Sequence, residues 1–164
     1  MKLTVIFSII VLSSVSLVSS IGAENLDNVK KFKQTKQCPG CDLSGADLSG
    51  LNLRQANLQG ADLSGASLGG SDLTKANLSS AILTGANLDG TKLIGANLSN
   101  ARLNSAYMGY AKLMDANLKR ASLINADIGR SNFTGADVTD ANFNGVRCDT
   151  YTGLDGSRSN AWCK

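Results

Sequence analysis

Histidine is missing from the 164 residues, proline and tryptophan occur once each, and aromatic residues make up only 5%. Without histidine the chain lacks the commonest general base at neutral pH and the commonest metal ligand. So few aromatics require a core of small and aliphatic side chains, and a single proline leaves turn-making to glycine, asparagine and serine. Charge of one sign is scarce as well: 16 basic and 13 acidic residues give a net charge of +3. That balance points to neither nucleic acid nor a strongly acidic partner. Against these gaps stand 22 Leu, 19 Ser, 18 Ala, 17 Gly and 15 Asn. At 43% hydrophobic the chain is not of the disordered class, and its length suits one domain.

Residues 1–23 read as a signal peptide. Met1-Lys2 supplies a positive end, Leu3 to Val18 is an apolar run interrupted by serines, and Ser19, Ser20, Gly22 and Ala23 give a small-residue exit. An uncleaved anchor needs about 20 mainly apolar residues, which the serines interrupt. The expected cut follows Gly22 or Ala23, and no stable membrane insertion is expected after it. The expected destination is the periplasm, with the extracellular space or the thylakoid lumen as alternatives.

From Cys41 the chain repeats every five residues, 21 times, through residue 145. The central position, Leu43 to Phe143, is apolar in all 21 units and Leu in sixteen. Two residues earlier stands Ala in sixteen units, and between them Asp or Asn in fourteen. The last position is Gly in ten. Small-polar-Leu alternates with period two, so Ala and Leu share one side and the polar residue takes the other. A helix would let a five-residue step precess, and an unbroken strand would flip each successive Leu to the opposite face. The chain must therefore turn once per unit, winding a coil with Leu and Ala inside. Such coils stack about 4.8 Å apart through backbone hydrogen bonds. The repeat predicts a β-solenoid.

Ala-(Asp/Asn)-Leu-x-x, repeated without a gap over residues 41–145, resembles the pentapeptide-repeat family. The resemblance implies an all-β, right-handed quadrilateral β-helix with four units per coil. The limits of the repeat place residues 41–147 in the solenoid, and the flanking segments 24–40 and 148–164 are expected to cap its two ends. In the N-terminal cap, Leu26, Val29 and Phe32 recur at helical spacing among lysines, predicting a short amphipathic helix over the first coil. The C-terminal cap carries Tyr151, Leu154 and Trp162.

Cys38, Cys41, Cys148 and Cys163 form an even set in an exported chain, the usual setting for disulfides. Pairing Cys38 with Cys41 and Cys148 with Cys163 keeps each bridge inside one end. Backward extrapolation of the period puts Cys38 at a central position and Cys41 at an Ala position, both inward. A redox-active C-x-x-C is the alternative, although such pairs usually sit at a helix N-terminus. A four-cysteine metal site would require the two ends to meet or two chains to share it, and no metal, cofactor or catalytic residue is assigned.

Function is left to outward positions. Residues 41–145 hold nine acids and eight bases with signs mixed, which disfavours the DNA mimicry that the resemblance attributes to gyrase inhibitors of the family. Apolar residues stand at six outward positions, namely Ile82, Ile94, Tyr107, Tyr110, Met114 and Ile124. Ile94, Tyr107, Tyr110 and Met114 are the candidate interface. The expected role is a non-enzymatic module for a protein partner or a second copy, with a thiol-disulfide role for Cys38-Cys41 as the alternative.

Overall fold

The structure, a computed structural model, describes residues 19–148. One helix, α1 (Ser19–Thr35), precedes the repeats and runs through the expected cleavage point. Lys36, at φ 57°, closes it in a left-handed turn, its N–H donating to Phe32 O at 2.7 Å. Backbone pairing then starts at Gln37, four residues before the repeat is legible.

Nineteen parallel bridges follow, each joining residue i to residue i+20, from Gln37–Asn57 to Asp127–Arg147. Twenty residues therefore make one coil, which at five residues per unit is four turns. No strand extends beyond a single bridging residue among the described residues. The turn every fifth residue is the cause, since it leaves only the first three positions of a unit extended.

Hydrogen bonding accounts for the unit almost completely. In the unit starting at Cys41, Leu43 N–H donates to Asp62 O at 2.7 Å and Gly45 N–H to Ser64 O at 2.9 Å, both in the next coil. Asp62 N–H donates back to Cys41 O at 3.0 Å, and Ala46 N–H closes the turn on Leu43 O at 3.1 Å. Four of five N–H groups thus have backbone acceptors. The fifth belongs to the fourth position, and it is met by the second-position side chain. Ser44 N–H donates to Asp42 Oδ1 at 2.8 Å and Thr134 N–H to Asn132 Oδ1 at 2.9 Å. All fourteen units with Asp or Asn make this bond. From the sequence these residues are expected only to face outward; they are caps for a donor that the coil leaves over.

The last position of every unit has positive φ, near +60°. Glycine accepts this without strain, but eleven units hold another residue there, including Gln55, Lys75 and Tyr110. Inside, Leu and Ala are buried except at the ends of the coil, where Leu51, Ala136 and Ala141 are partly buried, and Phe133 and Phe143 meet edge to face at 6.1 Å in the last coil.

α1 covers the first coil as expected, with one correction. Phe32 is fully buried and Val29 packs on the core, but Leu26 is 70% exposed. At 3.6 residues per turn Leu26 lies about 120° from Phe32, whereas Asn25 and Asn28 share its face. Their Nδ2 groups donate to Ser44 O and Asp42 O at 3.3 and 3.4 Å. Cys38 and Cys41 form a disulfide beneath the helix, with Cys38 buried at a central position and Cys41 half-buried at an Ala position. Cys148 is disulfide-bonded too. Cys163, the partner expected for it, lies outside the described residues, as do the rest of the C-terminal cap and most of the signal peptide.

Candidate functional site

Because the coil holds four units, residues twenty apart stack in columns and the molecule has four distinct walls. Second-position residues show how they differ. One wall carries Gln37, Asn57, Asn77, Asn97, Asn117 and Asp137 and keeps its caps from Asn57 to Asp137. Another changes in its C-terminal half, where Asp47, Ser67 and Asn87 give way to Tyr107, Asp127 and Arg147.

In that half the fourth position is glycine in two successive coils, at Gly109 and Gly129. With no side chain there, a trough opens between the second-position and last-position columns. It forms a cleft of about 520 Å³ lined by Tyr107, Tyr110, Asp127, Arg130 and Arg147, with Asp89 and the two glycines at its floor and Cys148 at its end. Tyr107 and Tyr110 are 50% and 59% exposed. Each column is internally braced. Arg147 lies above Asp127 with Nη2 at 3.3 Å from its Oδ2, and Arg130 donates from Nη1 to the Tyr110 hydroxyl at 2.7 Å. The Arg130 guanidinium also lies 5.3 Å from the Tyr110 ring centre, within cation–π range. The floor is held by Asp89, whose Oδ1 accepts from Gly109 N–H at 2.8 Å, replacing the cap that Tyr107 cannot give. A Cβ on residue 109 would stand only 3.0 Å from that oxygen.

Tyr110 occupies a left-handed position, φ 57°, where most units of the N-terminal half hold glycine. A bulky side chain there costs about 1–2 kcal/mol relative to the right-handed region. The backbone thus holds an exposed aromatic ring at a strained corner, a feature that clusters at binding sites.

The candidate interface residues fall into two places. Tyr107 and Tyr110 share the cleft. Ile94 and Met114 stack one above the other on the next wall, half-buried and outside the cleft lining. Ile82 and Ile124 are likewise half-buried on the wall before. Arg130, Arg147 and Asp127 do not stand out in the sequence, because their columns are visible only once the coil length is known.

The second-position carboxylates are engaged in caps. The Ser49 hydroxyl at 2.6 Å, with its N–H, holds the Asp47 carboxyl below its usual range. The Thr139 hydroxyl, together with Lys119 at 3.0 Å, does the same for Asp137. Among the described residues no group of three or more His, Cys, Asp or Glu is placed to hold a metal, and no helix is long and apolar enough to cross a membrane.

Comparison with known proteins agrees with this architecture. The family model for pentapeptide repeats matches in eight copies over residues 41–79, 71–109, 81–119 and 111–147. The chain is similar to the crystal structure of a pentapeptide repeat protein of the Arabidopsis thaliana thylakoid lumen. Identity is 32%, coverage is 62% of this chain and 70% of that one, and the TM-score is 0.60. A pentapeptide repeat protein of the cyanobacterium Cyanothece 51142 is 29% identical, with 79% and 99% covered and a TM-score of 0.40. A plasmid-mediated fluoroquinolone resistance protein is 19% identical over 70% and 83%, with a TM-score of 0.31. No curated protein matches the chain in sequence.

Proposed function

The chain belongs to the pentapeptide-repeat family, and from that premise we propose that it is an exported, non-catalytic interaction module that binds a protein partner through the Tyr107–Tyr110 cleft. Its coil is the right-handed quadrilateral β-helix of the family. One observation carries the reading. Inward side chains are consumed by packing, and all fourteen second-position Asp and Asn side chains cap turn N–H groups. The exposed tyrosines of one wall, ringed by Arg130, Arg147 and Asp127, have no such duty in the repeat. Rigid aromatic anchors with arginine beside them are the residue types that carry binding energy at protein interfaces.

The signal-peptide pattern and the Cys38–Cys41 disulfide support export to an oxidising compartment, the periplasm or a thylakoid lumen like that of the Arabidopsis relative. The same disulfide serves as a staple and not as a redox pair. Cys38 is buried and follows the C-terminus of α1, where the helix dipole disfavours the thiolate that exchange requires.

The test compares the native protein with a Tyr107→Ser/Tyr110→Ser variant in binding to a partner purified from the exporting cell's envelope. The expected result is an unchanged melting temperature with binding weakened at least about tenfold, the scale of one hot-spot residue. Equal binding by both proteins overturns the assignment of the cleft.

A further inference from the structure

The wall beside the cleft breaks the capping rule in a different way. Its second-position column runs Asn52, Asp72, Lys92, Lys112 and Asn132. Asn52, Asp72 and Asn132 cap Arg54, Thr74 and Thr134 in the ordinary manner. Lys92 and Lys112 have no acceptor to offer, so the N–H groups of Ile94 and Met114 receive no side-chain cap.

The backbone around them is nevertheless that of every other unit. Leu93 N–H donates to Lys112 O at 2.7 Å and Gly95 N–H to Met114 O at 2.9 Å. Leu113 N–H donates to Asn132 O at 2.7 Å and Asp115 N–H to Thr134 O at 2.9 Å. With the same bonds and the same positive φ at Gly95 and Asp115, the two N–H groups point where an Asp or Asn oxygen stands in fourteen other units. Two other uncapped donors find a substitute in the coil below, Gly109 N–H taking Asp89 Oδ1 at 2.8 Å and Ile124 N–H taking Asn104 Oδ1 at 3.1 Å. Gly69, Thr84 and Asn104 N–H do not, and what sets Ile94 and Met114 apart is the lysine at the second position of both units. Below Met114 stands Ile94, which has no such oxygen.

Two outward N–H donors, stacked about 4.8 Å apart as adjacent coils are, therefore share a wall with two stacked ammonium groups. Lys92 and Lys112 are exposed and make no ion pair among the described residues, and the stem of Lys75 lies beside Gly95, adding a third cation at the corner. Acidic neighbours do not quench the site. Asp72, beneath Lys92, is engaged with Thr74 N–H at 3.0 Å and Arg54 at 3.3 Å, and the Asp115 carboxylate lies against Gly135 of the coil above.

We propose that the N–H groups of Ile94 and Met114, with Lys92 and Lys112, form an oxyanion site in which a ligand's phosphate or carboxylate oxygens take the place of the missing Asx oxygens. One oxyanion offers two oxygens, one for each donor, and the ammonium groups supply charge-assisted bonds alongside. The site is on a different wall from the cleft and does not depend on it.

The test is a titration of the ¹⁵N-labelled full chain with sodium phosphate and, separately, sodium acetate at constant ionic strength, observed by NMR. The expected result is a saturable shift of the Ile94 and Met114 amides with one common dissociation constant. A tighter response to phosphate assigns a phosphate ligand, and a tighter response to acetate a carboxylate. The variant Lys92→Asn/Lys112→Asn restores the repeat's own caps and should weaken binding about tenfold or more, while raising the melting temperature. Lys92→Gln/Lys112→Gln removes the charges alone and should weaken binding with the same two amides still responding. No saturable shift at these amides, an equal shift with sodium chloride, or an unchanged response in the asparagine variant overturns the proposal.

Discussion

Two positions of the five-residue unit make quantitative demands on individual residues. At the last position φ is near +60° in every unit, so the cost of a side chain there can be measured against open space. A Cβ on residue 60 would meet no atom within 4 Å, so Gly60→Ala should cost about 1 kcal/mol from backbone strain alone. Ser80→Gly, at φ 58° on the same wall, should gain up to about 1 kcal/mol. Urea denaturation of the two variants checks both signs. At the first position, Thr91 and Ser131 replace Ala and donate to Leu68 O and Met108 O, whereas the equivalent Ser71 hydroxyl is buried with no partner. Ser71→Ala should therefore stabilise the protein by about 1 kcal/mol, since an unmet buried hydroxyl is removed and Ala already suits this site in sixteen units. The Asp47 and Asp137 carboxyls, held below their usual range, contribute stability that is complete above the unfolded carboxylate range near pH 4 and is lost as pH falls through their lower folded values. Replacing both with Asn keeps an acceptor but removes the titration, and should flatten the decline of melting temperature below pH 4. At this scale the sequence shows which residues face inward. It hides what Asp and Asn do, because a cap and a solvated carboxylate leave the same alternation.

Among the elements, α1 and the first turn act together. Phe32 seals the open end of the coil, and the Cys38–Cys41 bridge ties a central position to the next first position beneath it. Phe32→Ala should cost about 3 kcal/mol, and reduction of the short disulfide loop about 2 kcal/mol. Hydrogen exchange should locate both losses in residues 37–57, leaving the middle coils protected, as expected where each coil touches only its neighbours. The helix and both inward cysteines are readable from spacing. The outward turn of Leu26 and the polar contacts of Asn25 and Asn28 are not, because a hydrophobic stripe does not say which end of it meets the coil. The coil length is unreadable in the same way: five-residue periodicity demands a turn per unit, but nothing within one unit counts the turns needed to close.

For the whole molecule, the count of four is what creates the distinct walls on which the proposed sites stand. It sets Tyr107 beneath Asp127, Tyr110 beneath Arg130 and Lys92 beneath Lys112, pairs that are twenty residues apart and inconspicuous in a linear reading. It also makes the coil modular. Deleting residues 81–100, one full coil, should leave a folded chain with circular dichroism of the same shape and a lower melting temperature. Deleting 81–83 should abolish folding, because Leu and Ala fall out of phase with the turns. The central claim is that one wall, and not the repeat in general, meets a partner. The direct measurement places a photocrosslinking phenylalanine analogue at Tyr110 and, in a second protein, at Ser80, the same position of the unit on the asparagine-capped wall. In cells exporting the protein, irradiation should yield a discrete crosslinked species from position 110 and none from position 80. The same products from both positions, or products from position 80 alone, would contradict the account.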